Sequence, residues 1–139
     1  MKFVELSLAA IVVAVSAIPA FAHHSFAIFD TEKKVTLEGT IKEFRWTNPH
    51  SRILMTVSNA QGQSKQWAIE LGGPSALARE GWLPKTLTPG LKIQALIHPL
   101  RDGTPSGQLM AVTFPDGTTK SLYGAERPLI LREINVEKR

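Results

Sequence analysis

Between residues 35 and 114, apolar and polar residues alternate with the two-residue period of half-buried strands. The first run spans 35–46. Val35, Leu37, Gly39 and Ile41 share one parity, after which the apolar positions move to Phe44 and Trp46. A change of parity inside one strand is what a β-bulge produces, and Gly39 permits a sharp bend there. The second run, 52–58, places Ile53, Met55 and Val57 on one face, and the third, 66–71, does the same with Trp67, Ile69 and Leu71. The fourth, 91–98, turns Leu91, Ile93, Ala95 and Ile97 inward and His98 the other way; the fifth is 108–114. Met55 and Met110 are expected on core-facing positions.

The connections carry turn chemistry. Thr47-Asn48-Pro49-His50, Asn59-Ala60-Gln61-Gly62, Thr88-Pro89-Gly90 and Pro115-Asp116-Gly117 read as turns, and 101–107 as a polar loop. After Gly72-Gly73, residues 74–80 suit a short helix, with Pro74 at its start and Gly81 at its stop. Trp82 and Leu83 are expected to fold back onto the core. The order is three strands, a helix and two strands, with a long bent first strand. That order belongs to the OB-fold, so the expected architecture is a mostly β, small five-stranded antiparallel barrel with one short helix between strands 3 and 4. Another small antiparallel barrel or a sandwich is the alternative.

The two ends depart from this pattern. Residues 1–22 have Lys2, an apolar run over 6–18, and then Pro19-Ala20-Phe21-Ala22. The run falls short of the roughly 20 residues that span a bilayer. With its small-x-small end it reads as a cleaved signal peptide. Three segments result: a signal peptide at 1–22, an OB-like domain at 23–120, and a C-terminal tail at 121–139. The tail mixes Leu122, Tyr123, Leu129, Ile130, Leu131 and Ile134 with charges. It could form a short helix or strand or remain flexible. The expected location is the periplasm, with no membrane attachment after cleavage.

Composition narrows the chemistry. The 139 residues include 16 Lys and Arg, 12 Asp and Glu, four His and no Cys. Cleavage after Ala22 leaves 117 residues and removes Lys2 and Glu5, so the net charge stays at +4. Without cysteine there is no disulfide, thiolate metal site, iron–sulfur site or cysteine nucleophile. Histidine and carboxylates remain. Processing would make His23 the first residue, where its α-amine and ring Nδ1 can chelate one metal together. A third imidazole nitrogen would complete an N₃ site suited to Cu(II). This arrangement resembles the histidine brace of copper proteins, at the terminal residue only. His50 and His98 are the candidates for the third ligand, with His24 adjacent. His50, at the turn close to Trp46, is the first of these; in an OB-fold, strands 1 and 4 pair, which brings the end of strand 4 and His98 near the N-terminal segment, so both stay open. The same histidines also read as plain turn, strand-end and terminal residues, with ring nitrogens bonded to backbone.

Ligand-binding candidates without a metal are Trp46, His50, Arg52 and Glu70. Trp46 and Arg52 suggest a stacking platform for a ring-bearing or acidic ligand. Glu70 ends the third strand on the face opposite Ile69. No nucleophile elbow, phosphate loop or zinc-protease helix occurs, so no catalytic residue is assigned.

Several segments together resemble an uncharacterised family of short exported bacterial proteins, a domain of unknown function. They are Ala22-His23-His24-Ser25-Phe26, Phe29-Asp30, Leu37-x-Gly39-Thr40, Trp46-Thr47-Asn48-Pro49-His50, Trp67-x-x-Glu70, Gly81-Trp82, Leu87-x-Pro89-Gly90 and Pro115-Asp116-Gly117. The resemblance covers about 22–117 and implies export and a small β-domain, but no activity. The expected function is a non-enzymatic periplasmic binding or accessory domain for a small molecule or a periplasmic protein. The copper site is the alternative. The OB order and basic charge also suggest an oligonucleotide binder, but export and the thin spread of charge weigh against a nucleic-acid partner.

Overall fold

The computed structural model describes residues 27–122. They form β1 (Val35–Arg45), β2 (Arg52–Ser58), β3 (Ser64–Glu70), α1 (Pro74–Arg79), β4 (Lys92–Pro99), β5 (Ser106–Thr113) and β6 (Thr119–Ser121). His23 and His24, the signal segment and the tail beyond Leu122 lie outside the described residues.

β1 is long because it serves two partners. Its first half pairs with β4, from Val35↔Ile97 to Thr40↔Lys92. Its second half pairs with β2, from Gly39↔Val57 to Arg45↔Arg52. The expected bulge lies between Ile41 and Glu43, and it carries the core-facing set from Ile41 to Phe44. β2 pairs with β3 and β4 with β5, both antiparallel. The barrel closes through β3 and β5, from Ala68↔Ser106 to Glu70↔Gln108. This is the OB-type barrel of the sequence reading, with two refinements. The closing seam is parallel, so the barrel is mixed. A sixth strand, β6, extends β5 where β3 leaves it, with Ala111↔Ser121 to Thr113↔Thr119.

The core holds the inward residues of all five barrel strands, among them Leu37, Ile41, Ile53, Met55, Ile69, Ile97 and Leu109. Leu77 of α1 and the following Trp82 and Leu87 join it. Leu83, expected beside Trp82, is instead 49% exposed. Trp82 donates its backbone N–H to Leu77 O while Leu83 N–H bonds the Thr86 hydroxyl, so the chain turns outward between the two. Met110 does not face the core either. The β4–β5 register pairs Ile97 with Leu109 and Leu96 with Ala111, leaving Met110 as the unpaired residue of a bulge and only half-buried.

The chain preceding β1 is tied to the end of β4. Phe29 pairs with Leu100, and Asp30 N–H donates to Pro99 O at 2.8 Å. The Lys33 ammonium lies 3.0 Å from the Asp30 carboxylate, and this hydrogen bond is the main cause holding that carboxyl below its ordinary range. Arg101 adds a longer contact of 3.8 Å.

Candidate functional site

Side chains of paired residues share a face of a sheet. Ser51 and Ile53 are buried, so His50 and Arg52 stand on the outside of the barrel; Ile69 and Leu71 put Glu70 outside on β3. The register sets Arg52 directly opposite Glu70. His50 lies two residues before β2, and its ring reaches the same carboxylate: Nδ1 lies 2.8 Å from Glu70 Oε1. Arg52 approaches the other oxygen, Oε2, at 3.7 Å. Both partners of the His–Glu pair are partly shielded, with side-chain exposures of 34% and 22%. The donor is the Nδ1–H of the imidazole, so Nε2 is the nitrogen left without a partner among the described residues.

The loop that delivers His50 is held in place. Ser51 N–H donates to Gly72 O, and Leu71 N–H to Ser51 O, extending the β2–β3 ladder past the strand ends. The Thr47 hydroxyl donates to His50 O at 3.2 Å. Asn48-Pro49 is a cis peptide, and the loop lies against Gly73, where a Cβ would stand 2.7 Å from Pro49 O. Gly73 thus gives the loop room to pack on the chain leaving β3.

His98 lies on the outward parity of β4, as expected from its alternation with Ile97. Its Nδ1 is 2.8 Å from Lys33 O. A carbonyl only accepts, so Nδ1 carries the hydrogen and Nε2 is again the open nitrogen. The backbone-bonded form expected as the plain alternative is therefore found at His98, while the ring of His50 is held by a carboxylate. Trp46 packs against the core and meets Phe44 edge-to-face at 5.7 Å, whereas Arg52 stands outside with Glu70. Among the described residues, no three His, Asp or Glu side chains come together in a metal-holding group.

One residue of this surface was not singled out in the sequence. Gln108 of β5 pairs with both Glu70 and His98, and its neighbours Gly107 and Leu109 are buried, so it faces outward between the two. A polar residue alternating with buried ones is the signal that marks it.

Fold and surface together define an OB-type barrel with a polar exterior row assembled across its strands. The sequence model of a family of unknown function, DUF6152, matches residues 10–109. The chain belongs to that family. The match starts within the apolar N-terminal run and ends inside β5, so the tail at 121–139 lies beyond it. No curated protein and no solved structure matches the chain.

Proposed function

We propose that this protein is a small periplasmic binding or accessory domain, not an enzyme, that takes a polar small molecule or a polar group of a periplasmic protein at His50, Arg52 and Glu70. The observation that carries this reading is the 2.8 Å bond between His50 Nδ1 and Glu70 Oε1. It fixes the imidazole before any ligand arrives, so less side-chain freedom is lost on binding. The guanidinium of Arg52, 3.7 Å from Glu70 and 55% exposed, keeps donors for an incoming acceptor. The apolar run and small-x-small end of residues 1–22 support export to the periplasm, and Trp46 borders the loop that carries His50.

A thermal-shift screen of the exported chain against sugars, amino acids and dicarboxylates tests the reading. A compound that raises the melting temperature should lose about tenfold or more in affinity in His50→Ala and in Glu70→Gln, since hydrogen bonds to charged groups are worth about 1.5–3 kcal/mol. A ligand whose affinity ignores both changes binds elsewhere and overturns this assignment.

A second reading is a copper site built on His23, with His24 beside it and His98 or His50 as a further ligand. Its support is the state of the two described imidazoles. Each commits Nδ1 to a carbonyl or a carboxylate and keeps Nε2, the arrangement typical of metal-bound histidine. Ala27 O accepts a bond from Arg101 Nε just past β4, and four residues reach at most about 14 Å. The processed chain should therefore bind Cu(II) tightly against a competing chelator, and weakly when Met is kept before His23. His98→Ala or His50→Ala should lower the affinity of the processed form. Equal, weak binding by both forms sinks the copper reading.

A further inference from the structure

The chain ahead of β1 arrives beside one of the two described histidines and not the other. Phe29 bridges Leu100, Asp30 N–H donates to Pro99 O, and Arg101 N–H donates to Ile28 O. These bonds lay residues 28–30 antiparallel to the end of β4. The Arg101 side chain completes a clasp. Its Nε donates to Ala27 O at 3.1 Å, and its Nη1 lies 3.8 Å from Asp30 Oδ1. Ala27 is therefore anchored beside Arg101. His98 stands three residues before Arg101 in the chain, about 10 Å away at strand spacing.

The ring of His98 is tied to the same segment. Its Nδ1 donates to Lys33 O, on the β1 side of β4, so the imidazole leans toward the N-terminal chain and away from β5. That bond fixes the ring and leaves Nε2 as the nitrogen for a metal. Lys33 and Arg101 both face the Asp30 carboxylate, which offsets the charge of the two cations that flank the clasp.

His50 is placed differently. From His98 the pairing runs to Gln108 on β5 and from there to Glu70 on β3, the carboxylate that holds His50. Two strand spacings add about 10 Å at right angles to the first leg, which makes the path about 14 Å. That equals the full extended reach of about 14 Å for the four residues from His23 to Ala27. A terminus serving His98 keeps slack, whereas one serving His50 is stretched taut and gives up its remaining conformational freedom. Among the described residues no three His, Asp or Glu side chains meet, so a metal on either imidazole takes its other donors from the terminal residue.

We infer that the Cu(II) ligand completing the His23 site is His98, not His50, and that Arg101 is the positioning residue that brings the terminus to it. The copper site is then separate from the polar site at His50 and Glu70, and one chain holds both. This deepens the copper reading and rests on it.

Cu(II) titration of the processed chain under a competing chelator tests the inference, with the form that keeps Met before His23 for comparison. His98→Ala and His98→Asn should each weaken the processed form about tenfold or more. The asparagine keeps an N–H for Lys33 O, so its loss is not one of folding. His50→Ala and Glu70→Gln should leave the affinity within about twofold, as expected for a distant site. Arg101→Ala should weaken binding about tenfold, while the electron paramagnetic resonance spectrum at saturation still shows three nitrogen ligands. In His98→Asn that spectrum should lose one nitrogen. If the processed form binds tightly and His50→Ala, not His98→Asn, costs affinity and a nitrogen, the inference falls and the copper reading stands. Equal losses in both histidine variants overturn it as well. Parent affinity in Arg101→Ala removes the positioning role. Equal, weak binding by the processed and Met-retained forms ends the copper reading and this inference with it.

Discussion

Gly39→Ala should destabilise the protein by about 3 kcal/mol or more, lowering its melting temperature by roughly 12–24 °C. Gly39 stands where β1 changes partners. It pairs with Val57 of β2 and with Ile93 of β4, so sheet backbone flanks it on both sides. A Cβ there would overlap the Thr56 carbonyl oxygen and come 2.7 Å from Met55 Cε. The methionine end can move, but the carbonyl cannot without opening the β1–β2 seam. A useful contrast is Gly62→Ala in the β2–β3 hairpin. Its φ of +77° disfavours any side chain, yet nothing lies within 4 Å of the added carbon. That cost should be about 1–2 kcal/mol, the left-handed penalty alone. Urea unfolding followed by circular dichroism measures both. A Gly39→Ala cost no larger than that of Gly62→Ala would mean that the seam yields and that close approach is not why glycine is needed.

The same strand shows what was legible in the sequence. The shift from Leu37 and Ile41 to Phe44 is printed in the order of residues, because a buried face allows only one in-out assignment. It located the bulge within two residues. His98 could be placed outside for the same reason. The parallel seam between β3 and β5 had no local signal: Glu70 and Gln108 meet only because helix α1 and the whole of β4 intervene. The bond from His50 to Glu70 depends on the β2–β3 register, and neither residue's surroundings in the chain state it. Each was a candidate separately, while their partnership belonged to the fold. Gln108 was missed because a single polar residue in a strand looks like any solvent-facing position until its two neighbours are known. β6 was missed because Thr119-Lys120-Ser121 carries no apolar alternation; it is a strand through pairing with β5. Met110 and Leu83 failed for a shared reason. Period alone cannot foresee a bulge in β5 or a turn after Trp82, and each moves a hydrophobic residue off the face its spacing implies.

Trp82→Ala should cost about 3–5 kcal/mol, the range for removing a buried aromatic side chain. Trp82 has no exposed surface and lies in the main core with Leu77 and Leu87. It follows the short helix α1, whose six residues have little helical stability of their own. Its packing is therefore a main tie between that helical segment and the barrel. The Lys120 ammonium stands 5.6 Å from the ring centroid, adding a cation–π contact from β6. The ring also carries a cost, since its buried Nε1 has no hydrogen-bond partner among the described residues, and an unmade bond of this kind costs about 1–3 kcal/mol. Trp82→Phe removes that orphan donor while leaving a smaller gap. The two effects oppose, so its net change should stay within about 1.5 kcal/mol. Leu83→Ala, one residue on, should shift stability by no more than about 0.5 kcal/mol because that side chain is largely in solvent. Urea midpoints for the three variants, compared at equal slope, give the order directly. Trp82→Phe as damaging as Trp82→Ala would show that the indole N–H is satisfied in solution and that the whole ring, polar edge included, holds the helical segment to the barrel.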